Sequence, residues 1–241
     1  MRLLDLSFDT PEENLAMDEA ILDAVESGKS PATLRFWECP VRFVVIGSAQ
    51  SLHREVHGEH CAADGVPVLR RCTAGGCVLQ GPGSLNYALM LPYAEFPETQ
   101  DLHQSYCFIL HRMSDALESL GVPARHEGIC DLAVSGLKVS GNAQRRKRHA
   151  FLHHGTLLYR ADREGMARYL REPQDRPDYR GGRSHRDFVG ELPPAPEALR
   201  SAARTAFHVE GPSAAPTPEE LAAAHRLVME KYSTTEWTHR R

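Results

Sequence analysis

Apolar residues recur at helical spacing over Leu15, Ala16, Ile21, Leu22 and Val25, which predicts an amphipathic helix. Asp9 or Thr10 can cap it, Pro11 suits a first helical position, and Glu12 and Glu13 favour the positive helix start. Gly28 ends it. Apolar runs at 33–37 and 43–46 read as strands, the second closed by Gly47 and Ser48. A short polar helix is expected over 53–63, strands over 66–69 and 85–91, and a long amphipathic helix over 101–120 stopped by Gly121. Strands follow at 131–135, 137–143 and 150–159, then helices at 162–171, 196–206 and 217–231. The Pro/Gly/Arg-rich stretch 172–195 reads as a long surface loop. Strands cluster early and again mid-chain instead of alternating with helices. The expected fold is therefore α+β, a mixed or largely antiparallel central sheet flanked by helices.

Composition narrows the classes. The 241 residues suit one domain spanning 1–241, and a net charge of −4 excludes a broadly basic nucleic-acid coat. No apolar run approaches the ~18–20 residues of a membrane span. The N-terminus turns acidic within five residues and lacks the features of a secretory signal. Six cysteines with no CxxC pair suggest neither a disulfide scaffold nor a zinc site. The expectation is a reduced cytoplasmic protein with no metal site, no nucleic-acid partner and no membrane association.

The densest chemical signal is the segment 70–83. Arg70 and Arg71 end a strand and lead into Gly75, Gly76, Gly81 and Gly83. Glycine permits close backbone approach to a ligand, successive N–H groups can form an anion nest, and arginine adds fork donors. The segment is neither a Walker loop nor GxGxxG; its bland reading is a flexible loop beside surface arginines. Lys138 follows a Ser-Gly turn in an apolar strand. There it can face a pocket and hold a carboxylate, a phosphate or a developing oxyanion, or it can be a solvated hairpin lysine. His153 and His154 are adjacent in a strand and point to opposite faces, which argues against a shared metal ion, and His154 reads instead as hydrogen-bonding within a loop-lined pocket. The run Arg145–His149 reads as a solvated turn. Cys130 is a nucleophile candidate if Lys138 lowers its pKa, and otherwise a small buried hydrophobe.

Taken together, these segments resemble the lipoate–protein ligase A family, within the biotin/lipoate ligase and octanoyltransferase superfamily. The resemblance rests on Asn14-Leu15-Ala16-Met17-Asp18-Glu19, Val45-Ile46-Gly47-Ser48-Ala49-Gln50, the stretch from Arg70 to Asn86, Asp131 with Lys138 to Gln144, His154-Gly155-Thr156-Leu157-Leu158, and Lys231-Tyr232 with Glu236-Trp237. It departs at Ala74, Gln80 and Cys130, where the family usually has glycine, histidine and a small polar residue.

The resemblance implies a class II biotin/lipoate ligase-like catalytic domain without a large C-terminal accessory domain. It implies ATP and Mg²⁺ as cofactors, lipoate or octanoate as acyl substrate, and a lipoyl-domain acceptor of the glycine cleavage H protein or 2-oxoacid dehydrogenase E2 type. The acid would be activated as an acyl-adenylate and passed to an acceptor lysine. Lys138 and Asp131 carry the implied catalytic roles. Implied binding residues are Arg70, Arg71, Thr73, Gly75, Gly76, Cys77, Val78, Gln80 and Asn86, then Gly141, Asn142 and Ala143, then His154, Gly155 and Thr156. Arg70 and Lys138 are expected on opposite walls of one cleft. Two alternatives stay open: an octanoyltransferase or lipoyl amidotransferase using a Cys130 thioester, and a non-catalytic acyl-binding relative.

Overall fold

The computed structural model describes residues 1–240. Its strands are β1 (Arg2–Asp5), β2 (Thr33–Trp37), β3 (Phe43–Ile46), β4 (Val68–Arg70), β5 (Val78–Gln80), β6 (Ser84–Pro92), β7 (Arg125–Glu127), β8 (Asp131–Val134), β9 (Leu137–Arg146) and β10 (Ala150–Leu158). Its helices are α1 (Pro11–Glu26), α2 (Leu52–Glu55), α3 (Gly58–Ala63), α4 (Leu102–Glu118), α5 (Arg163–Tyr169), α6 (His185–Phe188), α7 (Pro196–Ala206), α8 (Pro218–Leu227) and α9 (Thr235–His239). No helix among the described residues is long and apolar enough to cross a membrane.

Seven strands form one mixed sheet in the order β1-β2-β6-β10-β9-β8-β7, and β4-β3-β5 form a second. In the large sheet only β1 and β2 run parallel. Alternation along β6 assigns its faces. Leu85, Tyr87, Leu89 and Leu91 point into a core with α4 and α7, while Ala88 and Met90 point into a second core with α1 and α8. The small sheet packs on the α1 side, and Val44, Ile46 and Leu79 join a third core with α5 and α6.

Local chemistry explains the element ends. Thr10 caps α1 by accepting from Glu13 N, with Pro11 in the first turn. Thr217 and Glu220 close a capping box on α8. Three sequence expectations need correction. The 53–63 helix is two short helices broken at Val56 and His57. The run Arg145–His149 is not simply solvated: Arg146 lies 5.0 Å over Tyr93 and 5.1 Å over Phe151, and donates to Thr99 O and Gln100 O. Cation–π contact and backbone carbonyls therefore hold it inside the structure. The stretch 172–195 is a packed strap, with a 3₁₀ turn at Asp178–Arg180 and α6. Arg180 and Arg183 stack on Phe188, and Arg183 donates to Gly136 O.

Candidate active site

The strands converge on the α1 face of the large sheet. Asn86 pairs with Thr156, Thr156 with Gly141, and Gly141 with Asp131, so four strands place these residues in one row. Directly opposed residues of antiparallel strands share a face. Gln80 of β5 closes a ring of hydrogen bonds at one end of the row. It donates to Thr156 Oγ1 at 2.7 Å, Asn86 donates to Gln80 Oε1 at 3.2 Å, and Thr156 donates to Asn86 Oδ1 at 3.0 Å.

Lys138 reaches the other end because β9 is out of phase with a regular strand. The register slips between Leu132 and Ala133, so Lys138 opposes Ala133 while Gly141 opposes Asp131, and Val139 is the extra residue. Lys138 and Gly141 therefore face the same way although three positions apart. Lys138 Nζ lies 2.7 Å from Asp131 Oδ1, and Tyr179 of the strap donates to Asp131 Oδ2 at 2.8 Å. The ammonium occupies the space a side chain at 141 would need: a Cβ there would lie 2.9 Å from both Lys138 Cε and Nζ.

Two cavities meet at Lys138. An inner chamber of about 110 Å³ lies between the two sheets, with Leu15, Trp37, Val45 and Ala143 in its lining. An outer cleft of about 710 Å³ runs under the strap, past Asp131, Arg171, Arg176 and Arg180. Gly76, Cys77, Val78, Gln80, Cys130, Lys138, Gly141 and Thr156 border both.

Arg71, not Arg70, lines the inner chamber. Arg70 is fully buried, and its guanidinium donates to Gly47 O, Gln50 O, Trp237 O and Thr238 O. Consecutive residues of an extended chain point to opposite sides, so only one of the two arginines can face the cleft. This corrects the expected Arg70–Lys138 pair. Arg71 in turn donates to Thr73 Oγ1, Ala74 O and Gly76 O, so it shapes the glycine loop from within. Thr73 and Gly75 stand behind the lining; Gly75 has φ +94° and its carbonyl sits under Gly47.

Thr73 is fully buried and 2.7 Å from His154 Nε2, while His154 Nδ1 lies 3.5 Å from Asp18 Oδ2. The carboxylate favours the proton on Nδ1, so the Thr73 hydroxyl donates to Nε2. Burial is the largest influence and opposes the Asp18 charge, but Arg35 at 2.6 Å and His154 together outweigh it and hold the Asp18 pKa below the ordinary carboxylate value. On the other sheet face, Gln144 donates to His153 Nδ1, His153 Nε2 faces the Tyr87 hydroxyl, and Tyr87 donates to Asn142 Oδ1. Asn142 Nδ2 donates to Cys130 O and fixes that turn. Gly155 leaves the room for this carboxamide, since a Cβ there would fall 1.7 Å from Asn142 Oδ1. Burial drives His153 down to a pKa of about 3, so its ring is neutral.

Cys130, like Cys77, borders both cavities, and it lies beside Asp131, the partner of Lys138. Burial raises its pKa, Asp131 raises it further, and Lys138 pulls only partly against them. Its Sγ is 3.9 Å from Asp131 Oδ1. The group rests as a protonated thiol. Cys77 is also pushed up by burial.

The model of the lipoyl protein ligase A/B catalytic domain matches residues 10–201. The chain belongs to that family. The octanoyltransferase LipM of Brevibacillus brevis is 28% identical to this lipoyl ligase family member over 265 residues, covering 96% of each chain. A putative lipoate-protein ligase A of Aeropyrum pernix is 32% identical over 162 residues, covering 67% of this chain and 58% of that protein. Among solved structures, the bi-partite lipoate protein ligase of Thermoplasma acidophilum superposes with a TM-score of 0.86 at 26% identity, covering 99% of this chain and 95% of that one. The mixed α/β architecture is thus that of a lipoyl ligase family catalytic domain.

Several residues of this family member escaped the sequence reading. Asp18 was visible only as part of a helix motif, yet it backs His154. Glu19 holds Lys231 at 2.6 Å and the Tyr232 hydroxyl at 2.6 Å, anchoring the C-terminal segment. Tyr179 and the strap arginines carried no periodic signal at all.

Proposed function

We propose that the protein attaches an acyl group of the lipoate class, lipoate or octanoate, to a lysine of a lipoyl-domain acceptor through an acyl-adenylate made from ATP. One observation carries this reading: Lys138 Nζ is fixed on Asp131 where the inner chamber opens into the larger, arginine-bordered cleft. The acyl head would enter the inner chamber and the nucleotide the outer cleft. The acid's carboxylate attacks the α-phosphorus and pyrophosphate leaves; the acceptor amine then attacks the acyl carbon and AMP leaves. Lys138 stands where negative charge develops in both steps, and a preoriented donor in a dry site is worth most there. Asp131, held by Tyr179, keeps the ammonium aimed. Arg71, Thr73 and His154 keep the glycine loop in place against the chamber.

The outer cleft also fits a cation brought in on the triphosphate. Burial and the neighbouring Asp175 raise the Glu55 pKa, a repulsion that Mg²⁺ would relieve. Glu55 and Asp175 would hold the ion, and it would neutralise phosphate charge.

A second reading is favoured by the position of Cys130 and by the near full-length LipM relative. In that route Cys130 takes the octanoyl group from a carrier thioester, releasing the carrier thiol, and passes it to the acceptor lysine. The raised thiol pKa weighs against it.

The bi-partite relative was described together with its E2 lipoyl domain, which supports an acceptor of that type here; a glycine cleavage H protein is the other candidate. The deciding experiment incubates the purified protein with apo lipoyl domain, either with lipoate and ATP or with octanoyl carrier protein alone. Mass spectrometry follows acceptor and enzyme, and pyrophosphate release is followed in parallel. The adenylate route requires ATP-dependent acyl transfer and pyrophosphate. Transfer without ATP, with an octanoyl adduct on Cys130, would overturn it.

A further inference from the structure

A second constellation lies outside the cleft, at the corner joining α2 to α3. His57 Nδ1 is 3.7 Å from Glu59 Oε1, and the His57 and His60 rings stack with centroids 5.3 Å apart. The three side chains bring one ligand atom each within 4.8 Å of one another, and no other group of three or more His, Cys, Asp or Glu among the described residues does so. Ligand atoms around a tetrahedral zinc at ~2.0–2.1 Å stand about 3.4 Å apart. Closing the set takes a shift of about 1 Å, and Glu59, 66% exposed, is free to turn.

The tautomer points the same way. His60 Nδ1 lies 2.9 Å from Arg168 O. A carbonyl only accepts, so Nδ1 carries the proton and the neutral ring keeps its lone pair on Nε2. Zinc-binding histidines are oriented by this kind of bond from the non-ligating nitrogen to a backbone carbonyl. Two imidazoles and one carboxylate suit a borderline transition-metal ion with a water in the fourth position, and not an oxygen-seeking ion such as Mg²⁺.

We propose that His57, Glu59 and His60 form a binding site for a divalent transition-metal ion, Zn²⁺ foremost, that clamps the root of the strap over the outer cleft. The corner is bonded to that root. His57 N donates to Tyr169 O, Val56 bridges to Leu170, and Arg171 donates from its backbone to Glu55 O and from Nε to Val56 O. Glu55, Leu170 and Arg171 border the cleft. A metal on these three residues fixes the α2–α3 corner, and through the His60 bond to Arg168 O and the His57 bond to Tyr169 O it stiffens the segment from which the strap departs.

The test titrates tag-free, metal-free full-length protein with ZnCl₂ against a chromophoric chelator. One equivalent is expected to bind, and His57→Ala/His60→Ala to lose more than about 100-fold in affinity, beyond what removal of an outer-shell partner alone costs. Glu59→Gln, a change at an exposed position, is expected to lose about tenfold. His103→Ala/His111→Ala, on α4, is the control and should bind as the parent does. Zn²⁺ should slow hydrogen exchange over 169–176 in the parent and not in the double variant. Unchanged binding by His57→Ala/His60→Ala would place the metal on the thiols and overturn the site. Absence of binding below millimolar Zn²⁺ would overturn it as well. Binding that leaves strap exchange untouched would overturn the clamp.

Discussion

Gly141→Ala separates the placement of the Lys138 ammonium from its presence. The added methyl would lie 2.9 Å from Lys138 Cε and Nζ and 3.7 Å from Asp131 Oδ1. Nothing rigid stands in its way, so the lysine tip yields and swings off the carboxylate. Stability should fall by about 1–3 kcal/mol, because the buried Asp131 loses its cation while keeping the Tyr179 bond. Acyl transfer should suffer more. Loss of an aligned donor at developing charge costs about 10²–10³ in kcat, or about 3–4 kcal/mol of transition-state stabilisation. The assay is acyl transfer to the acceptor under saturating substrates, with Tm measured on the same samples. Lys138→Ala and the double variant complete a cycle. If both substitutions act through the one ammonium, the double variant is no slower than Lys138→Ala alone. Gly141→Ala retaining activity within about threefold of the parent, while Lys138→Ala falls by about 100-fold, would refute the claim that this placement matters.

Three further outcomes follow from the same geometry. Cys130→Ser should keep acyl transfer within about threefold under the adenylate route, and the thioester route is indicated instead if turnover disappears with the fold intact. His153, pushed down to about 3 when folded against 6.5 as a free side chain, leaves the unfolded chain binding more protons between those values, so its contribution to stability is intact above pH 6.5 and declines as pH falls. Between pH 8 and pH 5 that amounts to about 2 kcal/mol, and urea midpoints of His153→Gln should fall less steeply over this range; parallel curves would remove the assignment. Asp18→Ala strands the buried Arg35 guanidinium and should cost about 3–5 kcal/mol, read as a lowered Tm, whereas Asp18→Ala/Arg35→Met should recover part of the loss; equal losses in the two would argue against the pair.

Much of the scaffold could be read from residue pattern because the decisive interactions are local. Thr10, Pro11 and Glu13 announce α1 through its cap, and the nearly unbroken apolar runs of β6 and β10 reflect burial on both faces. The short strands β1, β5 and β7 carry too few residues for a period and form only because a neighbour offers its edge. The strap failed for another reason: prolines and glycines mark it as irregular, but its order comes from arginines stacked on Phe188, a contact with no spacing to detect. At the site, the motifs located the correct segments. The facing of individual side chains lay beyond them, since parity decides between Arg70 and Arg71 and an unpaired Val139 decides the direction of Lys138. The run His57-Gly58-Glu59-His60 carries no metal-site reading there, because only cysteine spacing and the His153–His154 pair are weighed as metal ligands.

The extra residue in β9 has an evolutionary and engineering consequence. The cleft's lysine keeps its direction because the bulge absorbs the extra residue, and not through the identity of any neighbour. Sequence drift at position 139 that keeps an apolar side chain leaves the amine where it is. Deleting that single residue would give an uninterrupted ladder in which Lys138 stands two positions from Gly141, opposite Ala133 and still on the cleft face. The loss would fall on the core that buries the Val139 side chain, and the amine would keep its place.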